Sequence, residues 1–188
     1  WTGVAVTKTG RLFVNYPRWS DDVPISVAEI KDGKPVPFPD KTWNAWTPDK
    51  DPSKHHVCVQ SVTVDDQDRL WVLDPANPKF GGVVPGGAKL ARHDLDGSVA
   101  FYRFGDSIAL PGSYLNDVRV DTAAQTAYIT DSGAGGLVVL DLKTGVSRRV
   151  LTEHPSTRAE EINITIEGMP WQRAGKTPQV HADGIGLS

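Results

Sequence analysis

Four polar residues recur at matching places in otherwise apolar strands, and their types are suited to binding a ligand or a metal ion. Thr2, Gln60, Asn116 and Asp183 each stand four residues before the hydrophobic residue that ends an alternating strand. Those hydrophobic residues are Val6, Val64, Val120 and Leu187, separated by 58, 56 and 67 residues. Polar side chains crowded near one axis need hydrogen-bonding partners: each other, water, a ligand or an ion.

Two interpretations of this polar set stay open from the spacing alone. Asn116 and Asp183 offer the carbonyl and carboxylate oxygens that Ca²⁺ and Mg²⁺ prefer, which makes them candidate metal ligands, with Gln60 and Thr2 as candidate ligand-binding residues. The alternative is a water-filled tunnel lined by polar residues. His181, two residues before Asp183, points to the same side of an extended strand and is a candidate general base or further ligand; the alternative is a surface histidine.

The strands that carry these residues belong to an internal repeat. A second strand follows each of the first three after a turn, and a third ends at a glycine-containing turn that leads into a fourth. The second strands are predicted at Leu12–Tyr16, Leu70–Asp74 and Ala127–Asp131. Four short strands joined by hairpins, repeated at a nearly constant step, are typical of propeller blades. A β-sandwich is the alternative, but a sandwich has no reason to repeat one strand order at a fixed step.

We therefore predict an all-β protein, a single partial β-propeller domain over residues 1–188. Blade 1 is predicted at about 1–40, blade 2 at about 56–105, blade 3 at about 114–152, and the first strand of blade 4 at about 182–188. Three blades and one strand do not close a ring, so we expect either a fragment or a ring completed by a second copy or chain. Long loops at 38–54, 75–87 and 157–179 are expected to cover one mouth of the channel.

Composition excludes two classes of partner. The formal net charge is −3 and no cluster of Lys and Arg forms a basic stripe, so we expect no nucleic-acid binding. The apolar runs are far shorter than a membrane-spanning helix needs, so we expect no membrane span. Cys58, the single cysteine, is expected to be a buried, inert thiol. His55 and His56 lack further ligands nearby and are expected to be solvated.

Three segments resemble the Yellow/major royal jelly protein family. They are Leu12 to Trp19, which contains Pro17-Arg18-Trp19, Asp68 to Asp74, and Ala127 to Leu142. The resemblance runs along nearly the whole chain and suggests a bacterial-type member. It implies a six-bladed propeller, which at this period needs about 340 residues. Insect members of that family are secreted, which implies an extracellular or periplasmic location, and they are linked to dopachrome chemistry or to nutritive roles.

A more distant resemblance is to the gluconolactonase and senescence-marker lactonases. Those propellers hold a divalent cation at the axis with a Glu, an Asn and an Asp, and Asn116 and Asp183 match the Asn and the Asp. Gln60 falls where a further Asn occurs. Thr2 stands where the Glu is expected, and the loss of one carboxylate weakens cation binding. Asp183 would also be the base that activates water in such a lactonase.

Two functions from different classes follow. The first is an enzyme that acts on a small polar cyclic molecule, either a lactonase-like hydrolase or a dopachrome-type isomerase, with Asp183 as the base, Asn116 as a ligand and Gln60 as a substrate contact. The second is a non-catalytic, ligand-binding or structural secreted propeller. The missing Glu favours the second function, and the presence of Asn116 and Asp183 favours the first.

Overall fold

Alternating apolar residues and tight turns fold the chain into successive antiparallel sheets. The computed structural model describes residues 1–173 and 175–187. Within those residues there are three four-stranded sheets and one two-stranded hairpin. In each four-stranded sheet the strands lie in chain order, so each sheet is a simple meander of the kind that forms a propeller blade. The predicted all-β propeller architecture is confirmed.

The first sheet contains β1 (Gly3–Val6), β2 (Leu12–Asn15), β3 (Val27–Lys31) and β4 (Lys34–Pro37). The second contains β5 (Ser61–Val64), β6 (Leu70–Asp74), β7 (Lys89–His93) and β8 (Val99–Arg103). The third contains β9 (Leu115–Asp121), β10 (Thr126–Asp131), β11 (Leu137–Asp141) and β12 (Ser147–Val150). The hairpin pairs β13 (Thr165–Ile166) with β14 (Met169–Pro170). One short helix, α1, spans Lys41–Asn44, and 3₁₀ turns lie at Pro52–Lys54, Pro78–Phe80 and Pro155–Thr157.

The middle sheet separates two hydrophobic cores. All of β6 is buried, and successive side chains of a strand point to opposite faces. Leu70 and Val72 therefore pack with the first sheet, whereas Trp71 and Leu73 pack with the third. The innermost strands β1, β5 and β9 lie side by side in that order. The sheets thus stand face to face around one axis, with their first strands innermost.

The first sheet leaves part of β1 uncovered. Ala5 is buried against the second sheet, but Val4 and Val6 are 50% and 56% exposed on the opposite face. Residues 184–187 form no strand in the described part of the chain, and Ser188 lies outside it. The Ile185 amide instead donates to Asp117 Oδ2 at 3.4 Å. The first strand of a fourth blade stays a prediction.

The loop between the first two sheets packs into their interface. The Asn44 side chain accepts hydrogen bonds from the amides of Ser26 and Val27 at 2.8 and 2.9 Å, and Trp43 stacks on Phe101 with ring centroids 5.1 Å apart. His56 follows this loop and is fully buried. The prediction that His56 is solvated is therefore wrong, because the aromatic residues of this loop cover it.

The buried thiol prediction is confirmed. Cys58 is fully buried, and burial raises its pKa to about 12. A thiol with so high a pKa is a poor nucleophile at neutral pH. None of the helices in the described residues is long and apolar enough to cross a bilayer.

Candidate functional site

The four predicted polar residues line one cleft between the innermost strands. We call this space the axial cleft; its volume is about 430 Å³, and its walls include Thr2, Gln60, Asn116, Asp117 and Asp183. Asn116 and Asp117 are partly buried, Gln60 is buried, and Thr2 and Asp183 are exposed. The equal register of the repeats places Thr2, Gln60 and Asn116 around the same space, and the segment that follows the third sheet brings Asp183 to it.

A β-bulge turns two consecutive residues of β9 toward the cleft. Val118 pairs with Ile129 and Leu115 pairs with Asp131, so two residues of β9, Asn116 and Asp117, stand opposite the single residue Thr130. Neighbouring residues of a regular strand point to opposite faces, and a bulge relaxes that alternation. The Thr130 hydroxyl accepts a hydrogen bond from the Asp117 amide at 3.0 Å. The bulge explains why an amide and a carboxylate adjacent in sequence both face the axis.

Buried carboxylates at the ends of the second strands hold the segments that lead into β5 and β9. Asp74 accepts from the amides of Val57 and Cys58 at 2.7 and 2.9 Å, and its buried partner Lys89 lies 3.0 Å away. Asp131 accepts from the Tyr114 amide at 2.9 Å and pairs with a side-chain nitrogen of Arg149 at 2.8 Å. A charged group that accepts several hydrogen bonds positions the backbone firmly. These carboxylates thereby position Gln60 and Asn116.

A chain of side-chain hydrogen bonds connects the mouth of the channel to the axial cleft. Trp19 Nε1 donates to the Tyr114 hydroxyl at 2.7 Å, and that hydroxyl donates to Gln60 Oε1 at 2.8 Å. Gln60 Nε2 donates to Asn116 Oδ1 at 3.2 Å, and Asn116 Nδ2 donates to Ser132 Oγ at 2.8 Å. Each amide group uses one of its two N–H protons in this chain, so each retains a second donor.

A second cavity lies at the mouth. This mouth cavity has a volume of about 450 Å³, and Gln60, Asn116 and Asp183 line both it and the axial cleft. Its aromatic wall comes from loops: Phe80 lies 5.8 Å from Trp19 and 4.9 Å from Tyr114 between ring centroids. Residues 176–180 and Arg173 also line it. A flat apolar wall beside a few polar groups suits a planar, polar small molecule.

The long loops contribute unequally to this mouth. The loop at 75–87 supplies Phe80 and the loop at 157–179 supplies the basic side. Within the described residues, the loop at 38–54 contributes nothing to the mouth cavity; its Asn44 and Trp43 pack against the first two sheets instead.

Asp183 carries a carboxylate that no other side chain in the described part of the chain engages. Its carboxylate oxygens have no hydrogen-bond partner among the described residues, and its backbone carbonyl accepts from the Thr130 hydroxyl. Partial burial, and then repulsion by Asp117, raise the pKa of the Asp183 carboxyl above its ordinary value. A carboxylate with a raised pKa is a stronger base than an ordinary aspartate.

Asp117 lines the cleft as well, although the register of the four predicted residues does not identify it. Its Oδ1 accepts from Ser61 Oγ at 3.0 Å and from Arg119 Nη1 at 2.8 Å. One signal was present: the residues that follow the four predicted ones are Gly3, Ser61, Asp117 and Gly184, and only one of them carries a charge. Strand alternation argued against its facing the axis, and the bulge overrides that argument.

Two predicted site residues are engaged in structural contacts. The Thr2 hydroxyl donates to the Gln60 carbonyl at 2.7 Å and accepts from Asn15 Nδ2 at 2.8 Å. His181 Nδ1 accepts from the Ala159 amide at 2.9 Å, and within the described residues His181 lines neither cavity. A ring nitrogen that accepts from an amide is not available to take up a proton, so His181 would have to act through Nε2. Its catalytic role stays a prediction.

The donor set does not fit a divalent cation held by this chain alone. Asn116 Oδ1 already accepts from Gln60, which leaves the Asp183 carboxylate as the uncommitted donor of the predicted pair. No group of three or more His, Cys, Asp or Glu in the described residues is placed to bind a metal ion. Ca²⁺ takes roughly 6–8 oxygen ligands. The predicted Ca²⁺ or Mg²⁺ stays a prediction.

Gly133 is required because the backbone of residues 112–114 passes very close to it. A Cβ at this position would meet the Gly112 carbonyl oxygen and would lie 2.6 Å from the Tyr114 amide nitrogen. Because both atoms belong to the backbone, we expect Gly133→Ala to lower the free energy of unfolding by about 2 kcal/mol, as overpacking does. Gly112→Ala is the matched control, since its Cβ would enter open space. Urea unfolding compares the two variants, and equal midpoints would contradict the predicted clash.

Comparisons of sequence associate the chain with proteins of one family. The sequence profile described as "Major royal jelly protein" matches residues 57–178. Dopaminechrome tautomerase of Drosophila melanogaster is 25% identical over 178 residues, which is 86% of this chain and 38% of that protein. Protein yellow of Drosophila melanogaster is 27% identical over 183 residues, 88% of this chain and 33% of that protein. The chain therefore spans 33% to 38% of the length of these relatives.

One solved structure with a similar arrangement of strands is virginiamycin B lyase from Staphylococcus aureus. It has a TM-score of 0.41 and 16% sequence identity, and the match covers 84% of this chain and 57% of that one.

Proposed function

The chain belongs to the major royal jelly protein family, and on that premise we propose that its mouth cavity binds a planar quinoid small molecule and that Asp183 catalyses its tautomerisation. The observation that carries this proposal is the position of the Asp183 carboxylate, which has no partner among the described residues and lines the same cavity as the aromatic wall of Trp19, Phe80 and Tyr114. The relative named dopaminechrome tautomerase supports dopaminechrome as the first substrate to test.

The reaction needs a base and hydrogen-bond donors, and no oxidant or reductant. Asp183 takes a proton from a ring carbon, and the electron pair of the broken C–H bond moves into the conjugated ring. The quinone oxygen accumulates negative charge and takes up a proton from water, and Asp183 releases the proton that it took from the ring to water. Atoms and electrons therefore balance, and the Asp183 carboxylate is regenerated. Gln60 and Asn116 line the same cavity as Asp183, and their remaining N–H groups are suited to hydrogen-bond this oxygen.

Lactone hydrolysis is less well supported by the described residues. In the lactonases that the chain distantly resembles, water is activated at a cation. Here Asn116 Oδ1 is committed to Gln60, and a single uncommitted carboxylate remains. The alternative of a non-catalytic binding propeller requires only the aromatic wall and the hydrogen-bonding groups.

Conversion assays separate these functions. We expect the full-length protein to accelerate the loss of the dopaminechrome absorbance well above the rate in buffer, and to leave a panel of sugar lactones unchanged. If dopaminechrome binds saturably but decays at the same rate as in buffer, the result would favour the non-catalytic binding propeller over the enzyme. If the protein hydrolyses a lactone only when Ca²⁺ is added, the result would favour the lactonase function over tautomerisation.

The remainder of the ring is also part of this proposal. Val4 and Val6 are exposed on the open face of β1, and the relatives are far longer than this chain. We propose that the rest of a longer polypeptide, or a second chain, supplies the remaining blades of a six-bladed ring and closes the axial cleft. On the family resemblance we also propose an extracellular or periplasmic location.

A further inference from the structure

The three rings of the aromatic wall come from three separate segments of the chain. Trp19 follows β2, Phe80 lies in the loop after β6, and Tyr114 directly precedes β9. Phe80 is the middle ring, since its centroid lies 5.8 Å from that of Trp19 and 4.9 Å from that of Tyr114. It is also 54% exposed, so burial of the ring does not by itself fix its position. The loop backbone must therefore place this ring.

The backbone that carries Phe80 is strained. Lys79 and Phe80 have φ angles of 55° and 57°, in the left-handed region that residues with a side chain adopt only at a cost. Such conformations persist where the surrounding structure holds them, and they cluster at ligand-binding sites. The strain therefore indicates that contacts outside these two residues keep the ring at the mouth.

A buried amide side chain supplies one of these contacts. Asn77 is 4% exposed, and its Oδ1 accepts from the Gly82 amide at 2.9 Å, which closes the loop around Phe80. Its Nδ2 donates to the Ser113 carbonyl at 2.8 Å, in the residue before Tyr114. An N–H and a C=O group require an acceptor and a donor on one side chain, which an amide provides. Asn77 thus joins the loop to the backbone beside the third ring.

A second contact joins the same loop to the first ring. The Lys79 amide donates to the Arg18 carbonyl at 2.8 Å, in the residue before Trp19. The Lys79 ammonium also pairs with Asp21, but that carboxylate is exposed, and exposed ion pairs contribute little. Phe80 is therefore held between the backbone neighbours of both other rings.

We infer that Asn77 is a positioning residue that forms the aromatic wall before the ligand arrives. Within the described residues Asn77 lines neither the mouth cavity nor the axial cleft, so it acts through Phe80 and Tyr114. The inference rests on the proposed function for the location of the ligand. A wall that is already ordered loses little conformational freedom on binding. Asn77 should therefore affect affinity and KM rather than the proton transfer at Asp183.

The test compares two buried asparagines in the full-length protein. Binding of indole is measured by calorimetry, and kcat and KM are measured for dopaminechrome, in the wild type, Asn77→Ala and Asn44→Ala. Asn44 is the matched control, because it is 3% exposed and also braces a loop, accepting from the amides of Ser26 and Val27. Either substitution leaves buried backbone groups unpaired and lowers stability. Asn44 does not line the mouth cavity in the described residues.

We expect Asn77→Ala to raise the Kd of indole and the KM of dopaminechrome about tenfold, with kcat changed less than about twofold. Asn44→Ala should be less stable but should bind indole as the wild type does. A crystal structure of the Asn77→Ala protein should show Phe80 displaced from Tyr114. Equal losses of affinity in the two variants, wild-type affinity in Asn77→Ala, or no binding of indole by the wild type overturns the inference.

The Asn77→Asp variant adds a rescue. An ionised carboxylate places an acceptor against the Ser113 carbonyl, whereas a protonated carboxyl restores both hydrogen bonds. Burial raises the pKa of a carboxyl, so its affinity for uncharged indole should rise toward that of the wild type between about pH 7 and about pH 5.5. A constant ratio of the two affinities across this range would contradict the role of Asn77.

The two proposals can fail separately. If no protein converts dopaminechrome but Asn77→Ala alone loses affinity for indole, the tautomerase function fails and the inference stands. If the wild type converts dopaminechrome and Asn77→Ala has the same KM, the function stands and the inference fails.

Discussion

The Asp183→Asn variant should lower kcat/KM for dopaminechrome by about 10²- to 10⁴-fold, the range that a positioned general base contributes. Asparagine has nearly the same shape as aspartate but cannot take up a proton at neutral pH. Binding of an unreactive planar indole should change little, because the aromatic wall remains intact. The loss should therefore fall on kcat rather than on KM. Asp106→Asn is the matched control, since Asp106 is exposed and lines a different cavity.

A second readout separates a base from a structural carboxylate. Repulsion by Asp117 contributes to the raised pKa of Asp183. Replacing Asp117 with asparagine removes that charge and should lower the pKa of Asp183. The acid limb of the plot of kcat/KM against pH should therefore move to lower pH. Asp183→Asn with unchanged kcat, or an acid limb that stays in place in the Asp117→Asn variant, would show that Asp183 is not the base.

Acidification should destabilise the protein through two buried histidines between the first two sheets. His56 is fully buried, and desolvation lowers its pKa to about 3; His93 is nearly as buried, and desolvation lowers its pKa to about 4. Their ring centroids lie 6.4 Å apart, and the Nε2 atoms of both rings are buried without a hydrogen-bond partner among the described residues. Both rings are therefore neutral in the folded protein at neutral pH.

The direction of the effect follows from proton linkage. In the unfolded chain a histidine binds a proton below about pH 6.5, whereas in the folded protein these two do so only near pH 3 to 4. The unfolded state binds more protons between these limits, so stability is complete above this window and is lost as the pH falls through it. The two histidines together should lower the free energy of unfolding by roughly 4 kcal/mol between about pH 7 and about pH 5.

Urea unfolding at several pH values measures this loss. A His56→Gln/His93→Phe variant should be less stable at neutral pH but should show a clearly smaller slope of stability against pH. His154→Gln is the control, because His154 is exposed. Parallel slopes for the wild type and the double variant would rule out the buried histidines as the origin of the acid sensitivity.

The blades and the polar residues of the axial cleft could be predicted from the sequence because both depend on local periodicity. Short alternating strands and glycine turns specify meandering sheets, and equal register brings the first strands of successive sheets side by side. Strand register alone therefore predicts the positions of Thr2, Gln60 and Asn116, without any knowledge of packing.

The remaining parts of the site depend on contacts between segments distant in sequence. Trp19 and Phe80 lie in separate loops, and their stacking against Tyr114 follows from how two sheets pack. The bulge that turns Asp117 inward appears only in the pairing of β9 with β10. His56 was expected to be solvated because polar residues precede it, but the Trp43 ring packs against it with ring centroids 5.2 Å apart. No periodic pattern encodes such contacts.

The central claim is that the mouth cavity, whose lining includes Asp183, is the ligand site. A crystal structure of the full-length protein with an unreactive planar indole tests this most directly. We expect the ring to stack on the aromatic wall of Trp19, Phe80 and Tyr114, with the Asp183 carboxylate about 3 to 4 Å from the ring edge. Ligand density in the apolar cavity beside Tyr16 and Pro24, with only water at the mouth, would contradict it.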